Sequence, residues 1–234
     1  LLLEERERGN WLAAPKLPVR LSASKLMQLI LQPKDFAEYL TRPVPQLFSA
    51  TAQRGTDFHR LLEDRWRLGI ELAEQDWAEE DLDLKVNFEN SRFATLTPEF
   101  VEQSIEFELG GLIVVCKIDA IFNISGEYQV VDWKSGSSPK DQAELEARAI
   151  QLALYRLAFS KWQGVGLERV RASFFFAGDG KEIRIPLVTQ LTGNGVGVGT
   201  LVGNEEQIDN YGMRVWLEWA RHAVVTNKAE NQKD

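Results

Sequence analysis

The stretch Leu112-Ile-Val-Val-Cys116-Lys117-Ile118-Asp119-Ala-Ile-Phe122-Asn123-Ile-Ser-Gly126-Glu127-Tyr-Gln-Val130-Val131-Asp132-Trp133-Lys134 decides the fold. Two apolar, β-branched runs, 112–122 and 127–133, flank Asn123-Ile-Ser-Gly126, which has the composition of a turn, so the stretch predicts a β-hairpin. Pairing Phe122 with Glu127 sets Asp119 opposite Val130. Because side chains alternate, Asp119, Val130, Asp132 and Lys134 then share one face. Asp119 and Asp132 become diagonal neighbours, roughly 7–8 Å apart along the backbone, a span that two carboxylates and one hard cation can bridge. A slip of one residue would send Asp132 and Lys134 to the opposite face from Asp119. The same hairpin has a second reading, a cross-strand ion ladder on a solvated face, in which Lys117, opposite Asp132 in this register, and Lys134 neutralise Asp132. The neighbours Val114, Val115, Ile118, Ala120, Ile121, Phe122, Val130 and Val131 favour the cation. Strands this apolar are covered on both faces, where a carboxylate pair is expensive unless a bound metal compensates it.

Working outward, residues 103–109 read as a strand joined to the hairpin by Gly110-Gly111, which gives three antiparallel strands in succession. Downstream, 140–162 is the longest helix candidate. Leu145, Ala149, Leu152, Tyr155 and Phe159 run down one side and Ile150, Leu154 and Leu157 down another, as in a helix packed against a sheet. Strands near 169–176 and 181–187 follow. Upstream, Ser22 or Ser24 caps a helix carrying Leu26, Met27, Leu29, Ile30 and Leu31, and Pro33 ends or restarts it. A short helix over 35–40 leads to an extended connector, Arg42-Pro43-Val44-Pro45. Gly55-Thr56 opens a helix with Phe58, Leu61, Leu62 and Arg65 on one face and His59 and Glu63, one turn apart, on the other. The acidic segment 73–100 suggests a helix from about Ala73 and another near Pro98-Glu99. The order of elements predicts an α/β sandwich, a mixed sheet of about five strands flanked by helices, and not a doubly wound dinucleotide fold.

Composition bounds the chemistry. The 234 residues, 44% hydrophobic, suffice for one sizeable core. Cys116, the single cysteine, can form no internal disulfide and no multi-cysteine metal site, which suits a reducing compartment. No run of eighteen apolar residues is present, and Leu1-Leu2-Leu3 meets charge too soon for a signal peptide, so a membrane role is not expected. A net charge of −8 counts against a surface whose main task is gripping nucleic acid. The chain opens on Leu1, as expected of part of a longer polypeptide. Residues 1–20 read as a lead-in linker, 21–190 as the main domain with a helical opening segment, and 191–234 as a Gly-rich linker followed by a helix carrying Val215, Trp216 and Trp219. Gly193, Gly195, Gly197 and Gly199 lack both the Gly-x-Gly-x-x-Gly spacing and a Gly-Lys-Ser/Thr ending, so they do not read as a nucleotide loop.

Val131-Asp132-Trp133-Lys134-Ser-Gly136 carries Asp-x-Lys after a hydrophobic strand, with Asp119 one strand earlier, and resembles the PD-(D/E)XK nucleases. Gly55-Thr-Asp-Phe-His59 resembles the Gly-x-x-x-His helix start of the RecB-like branch, and Gln151-Leu-Ala-Leu-Tyr155 its Gln-x-x-x-Tyr helix motif. Leu21-Ser-Ala-Ser-Lys-Leu26 with Gln32-Pro33 resembles the segment that leads into such domains. These likenesses run in order through about residues 20–187. They imply a restriction-endonuclease-like sandwich and a DNA nuclease with Asp119, Asp132 and Lys134 as catalytic residues. By the same resemblance His59, Asp119, Asp132 and the main-chain carbonyl of Trp133 hold Mg²⁺ or Mn²⁺, while Lys134 activates the attacking water and stabilises charge on the phosphate. Gln151 and Tyr155, on one helix face, contact DNA or brace the site; by residue type alone they equally read as a satisfied core face. Glu63 stands as an additional or outer ligand, and His59 without the resemblance reads as an ordinary helix residue.

Relatives with an iron–sulfur cluster carry Cys just before the Pro of the opening segment and three more cysteines near the end of the domain. Gln32 and the lone Cys116 therefore imply no cluster. Domains of this kind end superfamily 1 helicases in bacterial double-strand-break processing machines of the RecBCD, AddAB and Adn types. The resemblance thus implies a cytoplasmic, bacterial nuclease acting on single-stranded DNA ends. A helicase motor, in the same chain or in a partner helicase-nuclease subunit, would deliver those ends and supply the basic track this chain lacks. The alternative is a catalytically silent nuclease fold serving as a scaffold or DNA-binding module.

Overall fold

In the computed structural model, which describes residues 18–41, 49–69, 77–109, 111–140 and 142–184, the hairpin lies at the middle of a six-stranded mixed sheet. The strands are β1 (Arg20–Ser22), β2 (Phe100–Leu109), β3 (Leu112–Ile124), β4 (Glu127–Lys134), β5 (Val170–Phe176) and β6 (Lys181–Arg184). β2 runs antiparallel along one edge of β3, from Leu109–Leu112 to Phe100–Ile121. The other edge changes partner along its length: β1 pairs parallel with 113–115, and β4 pairs antiparallel with 120–124. Residues 116–119 pair with neither β1 nor β4, and β3 and β4 part company there. β5 lies parallel to β4, and β6 closes the order antiparallel to β5.

Among the described residues five helices cover the sheet: α1 (Ala23–Leu31), α2 (Pro33–Thr41), α3 (Ala50–Leu68), α4 (Leu82–Glu89) and α5 (Gln142–Gln163). On one face α1 and α5 bury Leu26, Leu29, Ile150, Leu154, Leu157 and Phe159 against Val114, Cys116, Ile118, Val130 and Phe174. On the other, α3 and α4 bury Phe58, Leu62, Leu84 and Phe88 against Phe122, Val131, Trp133 and Phe175. α5 crosses from β4 to the parallel β5, which is why it must be apolar over so much of its circumference. No helix among the described residues is long and apolar enough to cross a membrane.

Several expectations need correction. The hairpin register is shifted by two residues: Glu127 faces Ile124 and Val131 faces Ala120. The strands continue through what was read as the turn, leaving Ser125 (φ 55°) and Gly126 (φ 87°) as a two-residue loop with both φ positive. An even shift preserves the faces, so Asp119 and Asp132 still approach each other. α3 starts at Ala50, not at Gly55, because Ser49 caps it through a bond from the Ala52 N–H, 3.4 Å. Of the two candidate caps for α1, Ser22 is the one used, accepting from Lys25 N–H at 3.2 Å. No helix lies near Pro98-Glu99; α4 and a 3-10 turn over Arg92–Thr95 precede β2, which begins at Phe100 rather than at 103. β1 was not anticipated, and its Arg20 falls inside the expected lead-in. The connector 42–45, the helix start near Ala73, residues 185–187 of the last strand and the Gly-rich and Trp-bearing tail lie outside the described residues.

Candidate active site

Where β3 leaves β4, the edge of Trp133 faces side chains instead of a strand. Its N–H donates to Asp119 Oδ2 at 2.8 Å, and its carbonyl accepts from His59 Nε2 at 2.9 Å. The two main-chain groups that a continuing ladder would have satisfied are thus met by two candidate ligands. His59 reaches this fork from α3. Its own contact to Asp119 runs from Nδ1 to Oδ1 at 3.4 Å. Gly55, one turn before His59, lets α3 approach the loop after β4: a Cβ there would lie 3.3 Å from Ser135 Oγ.

Both β2 and β3 are distorted at the site. Ile118 and Ile121 share the α1/α5 core, although residues three apart in a regular strand face opposite ways, so β3 switches face across Asp119 and Ala120. Opposite, between the pairs Val101–Ala120 and Gln103–Ile118, Glu102 has a φ of 50°. A glutamate in the left-handed region is strained by on the order of 1–3 kcal/mol. This double kink turns Glu102 inward, its side chain 5% exposed, with Oε1 3.9 Å from His59 Nδ1 and Oε2 2.5 Å from Lys117 Nζ. Ligand atoms of His59, Glu102 and Asp119 lie within 4.8 Å of one another, the one such His/Cys/Asp/Glu group among the described residues.

Asp132 is held from the other face of the sheet. Its Oδ1 accepts from Gln151 Nε2 at 3.0 Å, and the same Gln151 nitrogen donates to Tyr155 Oη at 2.8 Å. Asp132 Oδ2 lies 2.6 Å from Lys134 Nζ. Gln151 and Tyr155 are buried, so in this arrangement they brace Asp132 and offer little surface to a polymer. The ladder reading is half realised: Lys134 does pair with Asp132, whereas Lys117 pairs with Glu102. Glu63 is outside the group of close ligand atoms and pairs with Arg67 at 2.8 Å, while its charge also acts on Lys117.

The charges are closely balanced. Burial, then the charge of Asp119, pushes the Asp132 carboxyl above the usual carboxylate range, against Lys134 and His59, which oppose the shift. Burial would lower His59, but hydrogen bonds to Asp119 and Glu102 outweigh it and raise the imidazole to about 10. Burial likewise opposes ionisation of Glu102, and His59 and Lys117 overcome it, holding that carboxyl below its ordinary range. The carboxyl groups of Asp119, Asp132 and Glu102 therefore meet His59, Lys117 and Lys134 in one fork.

Trp133 fixes the centre of this arrangement. Its indole, 1% exposed, stacks on Trp66 at 5.8 Å and 23° and is ringed by Phe93 at 5.2 Å, Phe88 and Phe175 at 5.9 Å, and Phe122 at 6.4 Å. After Lys134 the chain is tied to β5: Ala177 N–H donates to Lys134 O at 2.7 Å and Gly178 N–H to Gly136 O at 3.1 Å. A Cβ on Gly178 would meet the Gly136 carbonyl carbon at 2.7 Å, so these two loops lie in backbone contact.

Sequence reasoning missed Glu102 and the pairing of Lys117. The available signal was a break in alternation: Phe100-Val101 and Ala120-Ile121-Phe122 put adjacent apolar residues beside an acid on each strand.

The PD-(D/E)XK nuclease superfamily model matches residues 20–232. No functionally curated protein matches the chain. Among solved structures, the chain is similar to a "Putative exonuclease" from Eubacterium rectale, with a TM-score of 0.52 and 12% identity over 90% of this chain and 82% of that one. It also aligns with the crystal structure of SSO0001, with a TM-score of 0.39 and 19% identity over 79% and 74% of the two chains.

Proposed function

Because the chain belongs to the PD-(D/E)XK nuclease superfamily, we propose that it is a metal-dependent deoxyribonuclease of the RecB-like branch, hydrolysing phosphodiester bonds in single-stranded DNA. The observation that carries this reading is the fork between β3 and β4, where Asp119, His59 and the Trp133 carbonyl converge beside the braced pair Asp132–Lys134. The carboxylate oxygens and the main-chain carbonyl are donors that suit Mg²⁺ or Mn²⁺, with one imidazole nitrogen beside them. His59, Asp119, Asp132 and the Trp133 carbonyl would hold the ion. Bound there, a divalent cation supplies Lewis acidity toward the phosphate and a lowered pKa for water.

The chain's own groups do the rest. Gln151 fixes Asp132 Oδ1, which leaves Oδ2 paired with the Lys134 ammonium. Lys134, packed 5.6 Å from the Phe174 ring centroid, donates its N–H to the attacking water or to a non-bridging phosphate oxygen as charge develops. Trp133, immobilised by its ring of aromatics, keeps the carbonyl and the adjacent Asp132 and Lys134 in register, as a site that must be preorganised requires.

The chain's charge of −8 supports a division of labour in which an attached or partner helicase grips the DNA and passes strands to this site, in bacterial double-strand-break repair within the cytoplasm. The test is degradation of single-stranded DNA with Mg²⁺ or Mn²⁺, expected to vanish in Asp132→Ala and in Lys134→Ala. Cleavage that survives both substitutions, or that persists in EDTA, would sink the mechanism. DNA binding with no cleavage under any metal would favour a silent scaffold instead.

A further inference from the structure

Glu102 has no part in the reading above, yet the fold treats it as part of the site. It is the one residue of β2 whose backbone enters the left-handed region, and the distortion carries a carboxylate inward from the middle of a strand. Glu106 and Glu108, further along the same strand, stay at the surface. Glu102 Oε2 and Asp132 Oδ2 are both buried oxygens, and each has a lysine ammonium as its partner, Lys117 at 2.5 Å and Lys134 at 2.6 Å. Lys117 is 68% exposed, so its charge is drawn in from solvent toward an oxygen that the fold has already buried. A surface salt bridge needs neither that burial nor that backbone conformation.

We propose that Glu102 is a further metal ligand, presented by the kink in β2, and that Lys117 is the stand-in cation that neutralises it while the metal is absent. His59, Glu102 and Asp119 then make a three-sided set contributed by α3, β2 and β3, with ligand atoms already within 4.8 Å of one another. Uptake of the ion displaces the Lys117 ammonium, which swings to the mouth of the site, where it can meet a phosphate. The inference rests on the metal-dependent reading but adds a ligand and an exchange that reading does not contain.

The experiment is Mn²⁺ titration of the full chain, followed by calorimetry and by the electron paramagnetic resonance signal of the free ion. Variants are Glu102→Gln, which keeps size and backbone conformation, and Glu102→Gly, which relieves the positive φ. Both are expected to weaken Mn²⁺ binding at least tenfold, while Glu102→Gly melts no lower than Glu102→Gln without metal. Lys117→Met is expected to bind Mn²⁺ more tightly and to lose that advantage when saturating Mn²⁺ is compared by DNA affinity, where the wild type gains. If Glu102→Gln binds Mn²⁺ like the wild type while Asp119→Asn does not, Glu102 is no ligand and the nuclease reading stands. If the wild type itself takes up no Mn²⁺, both fall.

Discussion

The two faces of the sheet hold their halves of the site by different means. Under α3 and α4 more than half of the buried residues are aromatic, and the rings close around Trp133, so that face secures a stretch of main chain. Under α1 and α5 the core is mostly aliphatic, and a polar chain, Tyr155–Gln151–Asp132, reaches through it to secure one carboxylate. Ring stacking fixes a backbone carbonyl that has no rotamer of its own, whereas a hydrogen bond fixes a side chain that would otherwise rotate. The difference teaches that damage on the first face should disturb stability and metal uptake together, and damage on the second should separate them.

The largest effect is expected from Trp133→Ala, which empties the aromatic core and should lower unfolding free energy by ~3–5 kcal/mol, with Mn²⁺ binding lost as well. Leu157→Ala, on the opposite face, should lower it by ~2–5 kcal/mol in chemical denaturation yet leave Mn²⁺ affinity within twofold at temperatures where the protein stays folded. Equal loss of metal binding in both variants would break the comparison. Gln151→Leu should reduce cleavage by about 10–100-fold, as expected for a residue that orients a ligand, while the thermal midpoint moves little. A large drop in that midpoint would make Gln151 a core residue first.

The smallest expected effect lies at the rim of the aromatic face. Arg92, in the turn after α4, grips Glu182 of β6 with two bonds of 2.8 and 2.7 Å. Burial opposes ionisation of Glu182, but Arg92 and Arg184 prevail and lower its carboxyl to about 2. A depressed folded pKa stabilises above the ordinary carboxylate range, and that contribution fades as pH falls from about 4.5 through about 2. Glu182→Gln should therefore cost on the order of 1 kcal/mol at neutral pH, after allowance for solvent screening, and flatten the acid limb of the stability curve. An unchanged acid limb would show that the pair does not tie the turn to the sheet.

What the sequence made legible follows from the range of the interactions. The hairpin and α5 are local, signalled by alternation and by a long apolar helix, so Asp119, Asp132, Lys134, Gln151 and Tyr155 could be singled out before their geometry was known. The register was read two residues off because the Asn123-Ile-Ser-Gly126 composition marks a turn without saying which of its residues stay in the ladder. α4 went unread because only Leu84 and Phe88 are buried, and what holds them is Trp133, Phe175 and other rings far along the chain. Glu102 was illegible for a similar reason. Its inward turn depends on a kink matched across two strands, and one strand's pattern contains half of it.

The caged indole has an optical consequence. Trp66 and Trp133, nearly parallel at 5.8 Å, are close enough for their excited states to mix, which should give a paired positive and negative band in circular dichroism absent from either tryptophan alone. Since the Trp133 carbonyl meets His59 in the fork, that band is a built-in spectroscopic gauge of the fork, readable by replacing Trp66 with Phe and watching the couplet collapse.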